Sequence, residues 1–145
     1  MHTLDTGTWT GADGVRRVHF ALSHAQLAAT VGAAGTACRE RYRDDAMTVD
    51  DVLAMRQLLS VVDHLDALAA TGLGATVDLS AGALALVHDA LVAWTDAREE
   101  RGWMREEERD VHRTLVPVLR DLGDLRAEAI RAALEASADA VLSAG

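Results

Sequence analysis

Two periodicities alternate along the chain, and they alternate twice. Val18, Phe20 and Leu22 occupy every second position, the period of a half-buried strand. Ser23 follows, a residue that can cap a helix by accepting from an unpaired backbone N–H, and a helix is predicted from there to about Tyr42. Thr48 opens a second helix with Asp51 in its first turn, where the helix dipole favours negative charge. Val52, Leu58, Leu59, Val61, Val62, Leu65 and Leu68 give that helix a broad apolar stripe, and Gly72 ends it. Ala75–Leu79 then alternates like a short strand, Ser80 stands at a cap position, and a helix runs to about Arg101, closed by Gly102. A further helix begins near Trp103 and carries Val111, Leu115, Val118, Leu122 and Leu125 at spacings of four and three.

The fold class expected is mainly α with minor β: a tandem duplication of a strand–helix–helix unit, plus a C-terminal helix. Residues 18–70 align without a gap on 75–127 at an offset of 57, with 13 of 53 positions identical. Shared positions include Leu22/Leu79, Ser23/Ser80, Leu27/Leu84, Arg41/Arg98, Met47/Met104, Arg56/Arg113, Leu58/Leu115 and Leu65/Leu122. Ala- and Leu-rich helices match one another easily, but here one register holds through a strand, a cap and two helices. The two strands of such units are expected to pair across a pseudo-twofold axis.

One domain is expected, divided into an arm or hairpin at 1–14, a first unit at 15–72, a second at 73–123 and a last helix at 124–145. The hairpin would pair Thr6–Gly11 with Val15–Leu22 around the Asp13-Gly14 turn signal. The last helix, Asp124–Leu142, has a small-residue face of Ala129, Ala132, Ala133, Ala136 and Ala140. The apolar spacing crosses Gly123 without a change of phase, yet a break near Gly123 is favoured over one long helix, and Pro117 is expected to kink the chain.

Composition narrows the partners. All fourteen basic residues are Arg, with no Lys and no Asn, a bias expected of a high-GC and therefore bacterial genome. Net charge is −9, which disfavours nucleic acid and anionic membranes and leaves protein partners open. Cys38 is alone, so no internal disulfide or Cys-based metal cluster is available. No basic-then-apolar leader and no membrane-length apolar run is seen, and a soluble, cytoplasmic protein is expected.

Several residues invite chemistry, and each also has a structural reading. Glu108 and His112, four apart, share a helix face and could hold a metal, but the repeated Glu-x-x-His pattern of carboxylate bundles is absent, which favours ordinary ion pairs with neighbouring arginines. His88 lies inside the apolar stretch 84–94, as a buried proton carrier or as a packed side chain with one hydrogen bond. Arg41/Arg98 and Arg56/Arg113 could grip an anion or close ion pairs between helices. Trp94 and Trp103 could wall a ligand site or cap the core.

No nucleophile–base pair, phosphate loop or zinc spacing is present. No catalytic, cofactor-binding or metal residue is therefore assigned, and no cofactor. The function expected is a protein-interaction or regulatory module, a homodimer using the helix face around Leu84–Trp94. The alternative is a small helical enzyme or ligand-binding bundle with its site between the units.

Overall fold

The computed structural model describes residues 7–10, 15–42 and 47–144. In chain order they form β1 (Gly7–Thr10), β2 (Arg16–Leu22), α1 (His24–Arg41), α2 (Val49–Ala69), β3 (Ala75–Ser80), α3 (Ala81–Arg101) and α4 (Glu106–Ala144). The protein is mainly helical, with one three-stranded antiparallel sheet of order β1-β2-β3. The expected hairpin is present: Gly7 pairs with His19 and Thr10 with Arg16. Its Asp13-Gly14 turn lies outside the described residues.

The helices start where local chemistry supplies caps. The Ser23 hydroxyl accepts from the Gln26 N–H, while Gln26 Oε1 accepts from the Ser23 N–H, a reciprocal capping box. Thr48 and Asp51 form the same arrangement at α2. Ser80 accepts from the Ala83 N–H at α3. Gly102, at φ 81°, takes the left-handed conformation that ends α3, a geometry costly for any residue with a Cβ.

The sheet turns one face to the helices. Val18, Phe20, Leu22, Val77 and Leu79 are buried there, whereas Thr76 and Asp78 face outward. On that outer face Arg17 Nε donates to Asp78 Oδ1 at 3.2 Å, a diagonal cross-strand pair. α3 is the central helix and packs on α1, α2, α4, β2 and β3. Leu84, Val87, Leu91 and Trp94 are consequently in the core, with Leu27, Leu65, Leu115 and Leu122. Full burial of each such side chain is worth about 1.5–3 kcal/mol, so these residues dominate the stability.

In the apolar stretch Leu84–Trp94 the chain itself buries Leu84, Val87, Ala90, Leu91 and Trp94, while Val92, 36% exposed, and Ala93 stay at the surface. One expectation needs correction: the chain does not break near Gly123. α4 runs unbroken from Glu106 to Ala144, through Pro117 and Gly123, so the helix expected from 124 is its continuation. A Cβ on Gly123 would lie 3.4 Å from His88 Nε2; the missing side chain makes room for a neighbouring ring within an intact helix.

Elements of the two halves start in step. α1 and α3 begin 57 residues apart, as do α2 and α4. In the β2–β3 ladder Phe20 stands opposite Val77, again 57 apart. Two equivalent antiparallel strands related by a twofold axis would have this register.

Candidate functional site

The densest polar cluster is at the corner between α3 and α4. Arg98, eight per cent exposed, is the one buried cation among the described residues. Its guanidinium is fully engaged: Nε donates to Glu108 Oε2 at 3.0 Å, Nη2 lies 2.8 Å from Glu40 Oε1, and Nη1 donates to the Trp94 carbonyl at 3.4 Å. The group also lies over the Trp94 ring, 4.8 Å from its centroid. Three helices are thereby tied by one side chain: α1 through Glu40, α3 through Arg98 itself and α4 through Glu108.

Glu108 has a second task. Its Oε1 accepts from the Arg105 backbone N–H at 3.0 Å and from Arg101 Nη2 at 2.6 Å, closing the start of α4. Asp51 makes the corresponding backbone bond at α2. The Arg105 N–H is the main reason the Glu108 carboxyl sits at about 2, with Arg101 and Arg98 adding to it against the opposing effect of burial. With both oxygens committed, Glu108 offers nothing to a metal. His112 instead meets Glu99 on α3, Nε2 to Oε1 at 3.3 Å, so the helix-face pair read from the sequence is separated into two different contacts. Among the described residues no three His, Cys, Asp or Glu side chains come together as ligands.

His88 belongs to a different contact, between α3 and the middle of α4. Arg126 Nη1 is 3.1 Å from His88 Nδ1 and 2.6 Å from Asp89 Oδ1. A guanidinium can only donate, so Nδ1 accepts and the ring proton belongs on Nε2. Burial first, then the charge of Arg126, lower the His88 pKa, against the pull of Asp89 and a hydrogen bond to the Leu119 backbone. A neutral ring wedged over Gly123 is a packing element.

The other paired arginines diverge. Arg41 lies 5.5 Å from the Tyr42 ring centroid and makes no ion pair among the described residues. Arg56 is exposed, and Arg113 reaches only Asp110, at 3.5 Å, in open solvent. Beside the Arg98 cluster a shallow depression of about 310 Å³ is lined by Glu99, Trp103, Met104 and Arg109. Trp103 is half exposed, with Arg101 stacked 3.7 Å from its centroid. The role of Glu40 was not legible in sequence, because it lies on another helix 58 positions before Arg98.

The fold and its clusters thus define a mainly helical scaffold with a small antiparallel sheet. A scan against protein-family models and searches of curated proteins and solved structures found no match for this chain.

Proposed function

We propose that this protein is an interaction module that forms a homodimer through the end of α4. One observation carries the reading: α4 outruns the body that it packs against. Leu122, Leu125 and Ala129 are buried, but Ile130, Leu134 and Val141 are 55, 65 and 73% exposed. At 100° per residue these three fall within about 40° of one another. They continue the line of Leu119 and Gly123, the side of α4 that faces α3 lower down. Ala132, Ala133, Ala136 and Ala140 extend the core line beside them, while Glu128, Arg131, Glu135 and Asp139 gather on the opposite side.

A row of large apolar side chains next to a row of alanines is self-complementary. Antiparallel packing of two copies sets the large residues of each helix against the small ones of the other, as an isologous interface requires. A second copy is therefore the occupant to which this face is best matched. The acidic composition supports protein over nucleic acid as a partner, and no helix of the described residues is long and apolar enough to cross a membrane. We infer a bacterial source with a high-GC genome, supported by the Arg-only basic composition. We further infer a tandem duplication, supported by the shared offset of helix starts, Ser caps and strand register.

Light scattering across a range of concentrations tests the dimer. The native chain should be dimeric and Leu134→Asp monomeric, with an unchanged circular dichroism spectrum. A native chain that stays monomeric throughout the range sinks the proposal.

A further inference from the structure

We propose that His88, Asp89 and Arg126 form a proton-operated clasp between α3 and α4, shut while the His88 ring is neutral and opened by a proton on its Nδ1. Polar contacts tie α4 to α3 at two places. Near the start of α4, Arg98 meets Glu108 and Glu99 meets His112. Far along the helix, Arg126 Nη1 lies 3.1 Å from His88 Nδ1 and 2.6 Å from Asp89 Oδ1. Ala129 is buried and Ile130 is already exposed. Among the described residues the clasp is therefore the last polar tie before α4 leaves the body.

The two ring nitrogens have different work. Nε2 lies against Gly123, where a Cβ would come within 3.4 Å of it. The ring also bonds to the Leu119 backbone one turn earlier, in a contact that favours the charged ring and is thus made with the carbonyl. A carbonyl can only accept, so Nε2 donates to it and carries the proton of the neutral ring. Nδ1 accepts from the guanidinium, which can only donate, and is the one place left for a second proton. That proton removes the lone pair that Arg126 uses. It also sets two cations 3.1 Å apart with one carboxylate, Asp89, to share. Arg126 is partly exposed and has water to move into, so the guanidinium is the group that leaves.

The charged groups that act on the ring are Arg126, from α4, and Asp89, from its own helix; among the described residues α1, α2 and the sheet bring none to it. Arg120 and Asp121, on the same helix as Arg126, pair with each other at 3.7 Å. Burial first, then the charge of Arg126, hold the His88 pKa below its ordinary 6.5. The clasp is accordingly shut at neutral pH and opens on acidification below that value. Gly123 supplies the give. A glycine is held less firmly in a helix than an alanine, so this turn of α4 loosens most readily once its tie to α3 is cut.

Backbone hydrogen exchange, corrected for the intrinsic effect of pH, and ring 15N resonances of the full chain test the clasp. Between pH 7.5 and pH 4.5, Nδ1 should be the nitrogen that titrates, and protection of amides 121–128 should fall about fivefold. Amides 108–113 should keep theirs within about twofold, because a proton on His112 strengthens its contact with Glu99. His88→Gln, whose amide oxygen can accept from Arg126 throughout this range, should show no fall. Arg126→Gln should bring the His88 pKa up towards its ordinary value and remove most of the fall, and it carries the test if His88→Gln does not fold. The fall should persist in Leu134→Asp, which separates it from dimerisation through the end of α4. The proposal is overturned if Nε2 titrates in place of Nδ1, if amides 121–128 keep their protection, if amides 108–113 lose theirs equally, or if Arg126→Gln shows the full fall.

Discussion

The two halves of this chain begin their helices in step but carry different loads on them. In the second half Arg98 is buried against Trp94 and paired with Glu40 and Glu108, so a cation locks three helices together. In the first half Arg41 lies over Tyr42 and makes no ion pair among the described residues. What separates them is the supply of carboxylates. Glu108 stands where the first half has Asp51, a shorter side chain that caps its helix and makes no ion pair with Arg41. Glu40 stands where the second half has Ala97. Arg98 is thus a structural lock, whereas Arg41 makes no ion pair among the described residues. A shared residue type at equivalent positions does not imply a shared role.

The sharpest way to break this contrast is to neutralise each arginine. Arg98→Met leaves Glu108 and Glu40 without their partner in a partly buried site, and a loss of about 3 kcal/mol is expected. Arg41→Met removes an exposed charge and should change stability by less than about 0.5 kcal/mol. Urea unfolding of both variants measures the difference directly. Equal losses would mean that the lock is not specific to the second half.

A second test uses pH. The Glu108 carboxyl is held at about 2 in the folded chain against 4.5 ordinarily. Its contribution is therefore complete above pH 4.5 and is lost as pH falls from there towards 2. His88 is lowered as well, so its contribution is complete above its ordinary 6.5 and declines as the solution is acidified below that value. Glu108→Gln should flatten the stability profile below pH 4.5 and leave the region near pH 6 unchanged, whereas His88→Gln should do the reverse. Asp51→Asn, at the equivalent cap in the first half, should flatten the acid limb less than Glu108→Gln does. A Glu108→Gln profile that keeps the full acid limb would show that the lock does not depend on that carboxylate.

A further expected effect, smaller than that of Arg98→Met, lies in the core. Thr30 is one per cent exposed, and its hydroxyl has no hydrogen-bond partner among the described residues, while the equivalent position in the second half is Val87. Thr30→Val exchanges an unsatisfied hydroxyl for a methyl group of similar shape and should stabilise the protein by about 1 kcal/mol. Destabilisation on thermal unfolding would indicate that the hydroxyl has a partner after all.

Much of this architecture could be read from residues alone. The Ser caps at 23 and 80, the alternation at Val18–Leu22 and the leucine spacing through Leu125 each depend on neighbours within a turn or two, and each led to the right element. Gly123 misled because a glycine weakens an isolated helix, whereas here α4 is held by packing and the glycine accommodates His88 from α3. Leu84–Trp94 reads as apolar nearly all round, and packing decides that Leu84, Val87, Leu91 and Trp94 are buried while Val92 stays at the surface. Glu108 and His112 share a helix face as expected, but Arg98 and Glu99 on α3 claim them separately.

The sequence by itself determined that the chain should be mainly helical and where its helices and strands begin, the start expected at 124 excepted. Caps, turns and apolar periods act over a few residues, and their energies are local. Only the tertiary structure decided which arginine is locked, which histidine is wedged and which apolar row is left uncovered at the end of α4. Those outcomes depend on side chains brought within 3 Å from helices tens of residues apart, and on where each helix runs out of neighbours. The helices begin at a common offset, but Arg98 is locked beside Trp94 because packing delivers Glu40 and Glu108 to it.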